Sequence, residues 1–369
     1  MQETTYANLR IRHSPHSRAR ARSMSAESTK TFCMPSLPPI AHAPPSSLNR
    51  RQALNLGAAL AGGLWLGKAR AAGFPQRPLS VIVPYAPAGG VDIVARLVAA
   101  PMGDILGQSV VVDNRPGGST NIGMNAVVRA APDGYTLLLA SNTLTTSKAL
   151  HPRLRFDPAS DLAPVGLIAE APLVVVVNAR SPHKTLAELV TAGRSRPGAI
   201  SYGTAGAGSS GHMASAQLEH AAGFQAVRVP YKGGAMAMTD LLGGRLDFMA
   251  TNPLEVAGHV NSGTLRALAM LNRDGSPLLP KVPTARAQGL DLQATVWWGL
   301  VAPRDTPAPL IQTLNEALNK SLATPAVTQT LSDMGATLRG GTPAQFAGFI
   351  QAETRKLTEV IQATHIRAD

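Results

Sequence analysis

Cysteine is almost missing from this chain. Its 369 residues hold one, Cys33, and that one stands among the first 71 residues. A mature chain that begins after this region has no disulfide, no catalytic thiol and no thiolate metal site. The lack of cysteine does not fix a compartment, but it fits an oxidising one. Aromatic residues make up only 4%, so the core is expected to consist mainly of Ala, Leu and Val. The nine histidines show neither H-x-x-x-H nor H-E-x-x-H spacing, and His13, His16 and His42 fall in the N-terminal region. Neither a metal centre nor a cofactor is expected. Beyond the N-terminal region no stretch reaches the roughly 18 uninterrupted apolar residues of a spanning helix.

A strong charge is also missing from most of the chain. The formal net charge is +12, but residues 1–71 hold ten of the 34 Lys/Arg and two of the 22 Asp/Glu. The remainder carries a net of only +4. It has no basic stripe with interleaved aromatics, so nucleic acid is not an expected partner.

The N-terminal region reads as processing sequence. Residues 1–47 are rich in Arg, Ser, Pro and His without an apolar period, and Met24 or Met34 offers an alternative start. Asn49-Arg50-Arg51 then precedes the apolar stretch Ala53–Gly67 and Ala69-Arg70-Ala71. A charged segment, a short apolar segment and an A-x-A site make an export signal cleaved after Ala71. The Arg50-Arg51 pair fits the twin-arginine route, and an ordinary secretory signal with two arginines is the alternative. The periplasm is the expected location.

The mature chain alternates apolar runs with helix-like patterns. Strands are expected at Leu79–Val83, Ser109–Asp113, Tyr135–Ala140, Leu173–Asn178, Ala199–Tyr202, Ala226–Val229, Leu246–Ala250, Arg266–Met270 and Val296–Val301. Nearly continuous Val/Ile/Leu is typical of parallel strands buried on both faces, and strand–helix alternation argues for an α/β fold with mainly parallel sheets. Thr306-Pro307 is expected to open a helix, and Thr342-Pro343-Ala344-Gln345 reads as a capping box before another. The apolar faces of both should be core. Two crossings, near 173–178 and 266–301, would divide the chain into lobe one (72–172 and 297–369) and lobe two (173–296) joined by a hinge.

Three strand ends run into glycine-rich turns. They are Val83-Pro84-Tyr85-Ala86-Pro87-Ala88-Gly89-Gly90, Tyr202-Gly203-Thr204-Ala205-Gly206-Ala207-Gly208-Ser209-Ser210-Gly211-His212, and Val229-Pro230-Tyr231-Lys232-Gly233-Gly234. A helix N-terminus reached through glycines exposes backbone N–H groups in a positive field, which suits a carboxylate or phosphate. Gly206-Ala207-Gly208-Ser209-Ser210-Gly211 matches G-x-G-x-x-G. The next strand, however, ends in Pro230-Tyr231-Lys232 and offers no acid for a ribose. The same loop resembles a nucleophile elbow on Ser209, which would make a serine hydrolase. His220, His259 and His365 follow it without an evident carboxylate partner. His212 either reaches a ligand or caps and packs. Asp92 is most simply an N-cap. Tyr85 and Tyr231 are placed to wall a cleft, and of Trp297 and Trp298 one is expected to be core and the other to face the hinge.

Taken in order, further segments join these turns: Asp113-Asn114-Arg115-Pro116-Gly117-Gly118, Tyr135–Ala140, Asp240–Asp247, Pro280-Lys281-Val282-Pro283-Thr284 and Gly299–Pro303. The series resembles the Bug-type, or tripartite tricarboxylate transporter (TctC-like), substrate-binding receptors, over nearly all of residues 74–362. The resemblance implies a periplasmic-binding-protein fold (type II-like), with two α/β lobes that close on a small carboxylate: a di- or tricarboxylate, an acidic amino acid or an aromatic acid. It implies no enzyme activity, a monomer, and partners in the membrane, either permease subunits or a sensor kinase. Backbone amides of two loops hold carboxylates in that family. The matching positions are Ala86, Ala88, Gly89 and Gly90, and Ala207, Gly208, Ser209 and Ser210. Ser141, Asn142 and Thr143 match the segment lining the cleft, and Tyr231 and Asn252 match cleft positions of the second lobe. Ala88, Val91, Thr251, Thr145, Thr146 and Ser147 depart from the usual pattern, and Val91 removes a hydroxyl beside the first loop.

Overall fold

A computed structural model describes residues 73–333 and 335–368. The export-signal expectation and the alternative starts lie outside the described residues.

The strand–helix alternation is realised as two sheets. The first contains β1 (Leu79–Val83), β2 (Val110–Asn114), β3 (Thr136–Ala140), β4 (Leu162–Pro172), β10 (Thr295–Pro303) and β11 (Thr337–Gly340), in the order β11-β4-β10-β3-β1-β2. The second contains β5 (Val174–Asn178), β6 (Ile200–Thr204), β7 (Ala226–Pro230), β8 (Phe248–Thr251) and β9 (Leu265–Met270), in the order β7-β6-β8-β5-β9. The helices are α1 (Gly90–Leu106), α2 (Asn121–Val128), α3 (Thr143–Leu150), α4 (Leu186–Ser195), α5 (Ser210–Ala222), α6 (Gly234–Leu242), α7 (Pro253–Asn261), α8 (Ala308–Leu322), α9 (Pro325–Asp333) and α10 (Pro343–Thr364). Among the described residues no helix is long and apolar enough to cross a membrane.

The expectation of mainly parallel sheets is corrected. β1 pairs in parallel with β2 and β3, as β6 does with β7 and β8. The pairs β10–β3, β10–β4, β11–β4, β5–β8 and β5–β9 are antiparallel. The cause is the double crossing. β4 runs into β5 through Leu173 alone, and the chain returns through β9 and β10. Outgoing and returning legs lie side by side in both sheets, so they must oppose one another. Three backbone bonds tie the crossings together. Leu173 N–H donates to the Ala294 carbonyl (3.1 Å), Leu271 N–H to that of Leu173 (2.7 Å), and Ala294 N–H to that of Leu271 (2.9 Å).

The core follows the strands. Val81, Val83, Leu137, Leu139, Val175 and Val177 belong to one continuous buried cluster. The expected capping box opens α10: Gln345 N–H donates to the Thr342 hydroxyl (3.2 Å), and Thr342 N–H to Gln345 Oε1 (2.8 Å). Leu357 and Ile361 of α10 pack with Leu150 of α3 and with Ala207 and Met213 beside the second sheet, so this helix contacts elements of both halves. The helix expected at Thr306-Pro307 begins at Ala308, because the Thr306 hydroxyl turns back to the Pro303 carbonyl (2.7 Å).

Candidate functional site

Strand C-terminal ends from both sheets face one cleft, with about 560 Å³ of space between its walls, part of it open to solvent. The first sheet contributes Tyr85, Gly89, Gly90 and Val91 after β1, Ser141 after β3, and Val296 and Trp298 of β10. The second contributes Thr204 and Ala205, the start of α5 (Ser209, Ser210, Gly211), Gly234, Met249–Asn252 and Glu255. Ligands of open α/β sheets bind at this kind of place, outside the carboxyl ends of strands.

Of the expected site residues, the structure brings Tyr85, Gly89, Gly90, Ser141, Ser209, Ser210 and Asn252 to the cleft wall. Ala86, Ala88, Asn142, Thr143, Ala207, Gly208, His212 and Tyr231 are not in it, and in each case the protein itself uses the group in question. Ala86 N–H donates to the Lys232 carbonyl (3.0 Å), which joins the first and third glycine turns. Ala88 N–H donates to Asp92 Oδ2 (3.0 Å). Asp92 is therefore not the N-cap of α1. That position is Gly89, and Asp92 reaches back from the first turn. Ala207 N–H donates to Ser119 Oγ (3.3 Å) and Gly208 N–H to His212 Nδ1 (3.0 Å). Asn142 donates from Nδ2 to the Thr295 carbonyl (3.1 Å) and accepts the Trp297 N–H (3.3 Å), so it anchors β10. The Thr143 hydroxyl lies 3.0 Å from that of Tyr85 and orients it. The Tyr231 hydroxyl donates to Asp240 Oδ2 (2.6 Å).

Two buried rings and one carboxyl show how the walls are held. Burial pushes the Tyr85 phenol up to about 12 against the opposing bond from Thr143, so this wall is neutral. Burial, followed by the nearby Arg228 charge, pushes His212 down to about 3. A neutral ring that accepts at Nδ1 carries its proton on Nε2. His212 thus shapes the loop that begins α5. Ser209 caps the same helix, its hydroxyl accepting the His212 N–H (3.4 Å), rather than meeting an imidazole nitrogen. Burial acts to raise the Asp92 carboxyl, but bonds from Arg96, Ala88 and Asn114 outweigh it and hold the group below the usual carboxylate range.

The polar inventory of the wall is mostly backbone and uncharged. Among the described residues, the N–H groups of Gly89 and Val91 on one side, and of Ser210 and Gly211 on the other, meet no acceptor. Thr204 Oγ1 and Trp298 Nε1 are buried without a partner, and both residues line the cleft. Buried polar atoms of this kind call for a partner. Trp297 instead packs against Phe346 and Phe349, with ring centroids at 5.8 and 5.6 Å.

Glu255 was missed from sequence. Asn252-Pro253-Leu254-Glu255 has the pattern of a helix cap with an acid three residues on, and Asn252 Oδ1 does accept the Glu255 N–H (3.2 Å). The side chain, however, crosses the cleft, where Oε1 accepts the Gly90 N–H at 2.6 Å. The Thr251 hydroxyl donates to its other oxygen. No local pattern signals a partner 165 residues away.

Residues 94–366 match the family described as tripartite tricarboxylate transporter family receptor. The chain is 36% identical over 294 residues to the protein BugT of Bordetella pertussis, which spans 79% of this chain and 90% of BugT. Among solved structures it is similar to periplasmic binding protein BugD, with 30% identity, a TM-score of 0.76, and 80% and 99% of the two chains covered. MatC of Rhodopseudomonas palustris, with bound malate, is 32% identical with a TM-score of 0.75, covering 78% and 100%. R. palustris Rpa4515, with adipate, is 31% identical with a TM-score of 0.76, covering 80% and 99%.

Proposed function

The chain belongs to the tripartite tricarboxylate transporter receptor family, and on that premise we propose that it is a periplasmic solute-binding protein that captures a small carboxylate and presents it to membrane permease subunits. The observation that carries this reading is the unspent N–H groups of Ser210 and Gly211 at the start of α5, which lie in the cleft wall. A helix N-terminus with free amides in a partly enclosed space suits a carboxylate. The structures of MatC with bound malate and of Rpa4515 with adipate support the ligand class.

In this reading residues 72–172 and 297–369 form one lobe and 173–296 the other, hinged at the three backbone bonds among Leu173, Leu271 and Ala294. Tyr85, Gly89, Ser141 and Ser210 contact the ligand, while Ala86, Ala88, Asn142, Thr143, Ala207, Gly208 and His212 hold the walls in place. No bond is made or broken. A wrong ligand leaves wall amides unpaired, at about 1–3 kcal/mol each.

Native mass spectrometry of the purified chain should reveal a retained organic acid. In a thermal-shift screen, a carboxylate at about 100 times its Kd should add about 2.7 kcal/mol of stability and change the emission of Trp298. A screen in which sugars or cations raise the melting temperature and no carboxylate does would overturn the proposal.

A further inference from the structure

The cleft contains a carboxylate of its own. Glu255 Oε1 accepts the Gly90 N–H at 2.6 Å, and the Thr251 hydroxyl donates to Oε2. Its surroundings define what kind of seat this is. A Cβ placed on Gly90 would lie 2.8 Å from Oε1, and one on Gly234 would lie 3.4 Å from Oε2 and 3.6 Å from Oε1. A Cβ on Gly89 would lie 3.8 Å from the Gly234 nitrogen, so α1 and α6 begin beside each other. Glu255 itself stands in the first turn of α7. The N-terminal ends of α1, α6 and α7 therefore meet at one carboxylate, which comes from the protein. Each end contributes a partial positive charge of about half a unit, which makes this a strongly anion-favouring position in the cleft.

With the proposed function as its basis, we infer that Glu255 takes the place of one ligand carboxylate, so that the cleft selects an acid with a single carboxylate. That group sits on the free amides at the start of α5, and an uncharged end faces Glu255. A second ligand carboxylate brought to the α1 side would lie within a few ångströms of Glu255, where little water screens like charges. The walls between the two helix starts suit an uncharged body. Val296 and Met249 are apolar, and the two groups of the cleft lining that are buried without partners, Thr204 Oγ1 and Trp298 Nε1, are neutral. This charge count differs from that of the malate and adipate held by MatC and Rpa4515.

The test uses matched pairs of acids that differ by one carboxylate: hexanoate and adipate, butyrate and succinate, and 3-hydroxybutyrate and malate. Binding of each is measured by calorimetry on the wild-type chain, on Glu255→Gln and on Glu255→Ser, with circular dichroism melting to establish that each variant is folded. In at least one pair the wild-type chain should bind the monoacid ten-fold or more tighter. Either variant should cut that preference at least ten-fold by gaining affinity for the diacid. A wild-type chain that prefers the diacid overturns the inference, and so does a preference unchanged in a folded variant, in both cases leaving the carboxylate-receptor reading intact. If neither the wild-type chain nor any variant binds any of the acids, and the thermal-shift screen finds no other carboxylate that binds, the receptor reading itself falls, and this inference with it.

Discussion

Asp92 sits at the third position of α1 with its carboxylate turned back onto the Ala88 N–H, and Arg96 and Asn114 close around it. Ala88 needs such support, because it holds a φ of 66° that a non-glycine residue adopts at a cost. Asp92→Asn should destabilise the protein by about 1–3 kcal/mol at neutral pH, since the charge and one of the two acceptor oxygens are lost and an NH2 group is set among donors. The sign of the pH dependence follows from the lowered carboxyl. Stabilisation by Asp92 is complete above the unfolded value of about 3.9 and disappears as pH falls through the folded value. Urea midpoints at pH 7 and pH 3.5 check this: the gap between the two proteins should be smaller at the lower pH. At this scale the sequence is half legible. Gly89 and Ser210 are found in the cleft with their amides free, where their turns imply, because a glycine turn before a helix leaves the same groups exposed in any fold. Ala88 and Gly208 are not, because Asp92 and His212 use their amides, and that competition depends on side-chain direction.

At the scale of elements, the apolar runs identify nine of the strands but miss β4 and β11. β4 carries Pro164, Gly166 and Glu170 within Leu162–Pro172. Those residues break the apolar run, and the strand is recognisable only from its long pairing with β10. The start of α5 shows another limit. His212 reads equally well as a ligand contact or a packing residue until its Nδ1 is seen to accept the Gly208 N–H. The buried ring, pushed down to about 3, makes the folded protein bind fewer protons than the unfolded chain below the unfolded histidine value of about 6.5. Stability therefore rises with pH in that window, and acidification removes up to about 1.4 kcal/mol per pH unit. His212→Gln keeps an acceptor without the titration. The difference between its urea midpoint and that of the wild type should narrow or reverse in its favour from pH 6.5 to pH 4.5. A constant difference over that range would mean the ring is not neutral and buried as described.

At the scale of the molecule, four of the bonds among the described residues join turns and helices that follow strands of the two sheets. They are Gly90 to Glu255, Ala86 to the Lys232 carbonyl, Ala207 to Ser119, and the Thr146 hydroxyl to the Gly208 carbonyl at 3.0 Å. All four lie away from the proposed hinge at Leu173, so each would break if the halves separate and re-form when they close. The sequence conveys the double crossing through its order of strands, but not which loops touch, because contacts between distant turns leave no periodic trace. Thr146 offers a clean test of the proposed motion, since valine has nearly the same shape and the residue is fully buried. Thr146→Val leaves the Gly208 carbonyl without this donor in the joined state only. An open state with that carbonyl in water loses nothing. The cost, about 1 kcal/mol for a typical bond, should then appear as roughly five-fold weaker carboxylate binding, with a larger radius of gyration in the ligand-free protein by small-angle scattering. If the halves stay joined at all times, the same substitution lowers the unfolding midpoint and leaves both ligand affinity and radius unchanged.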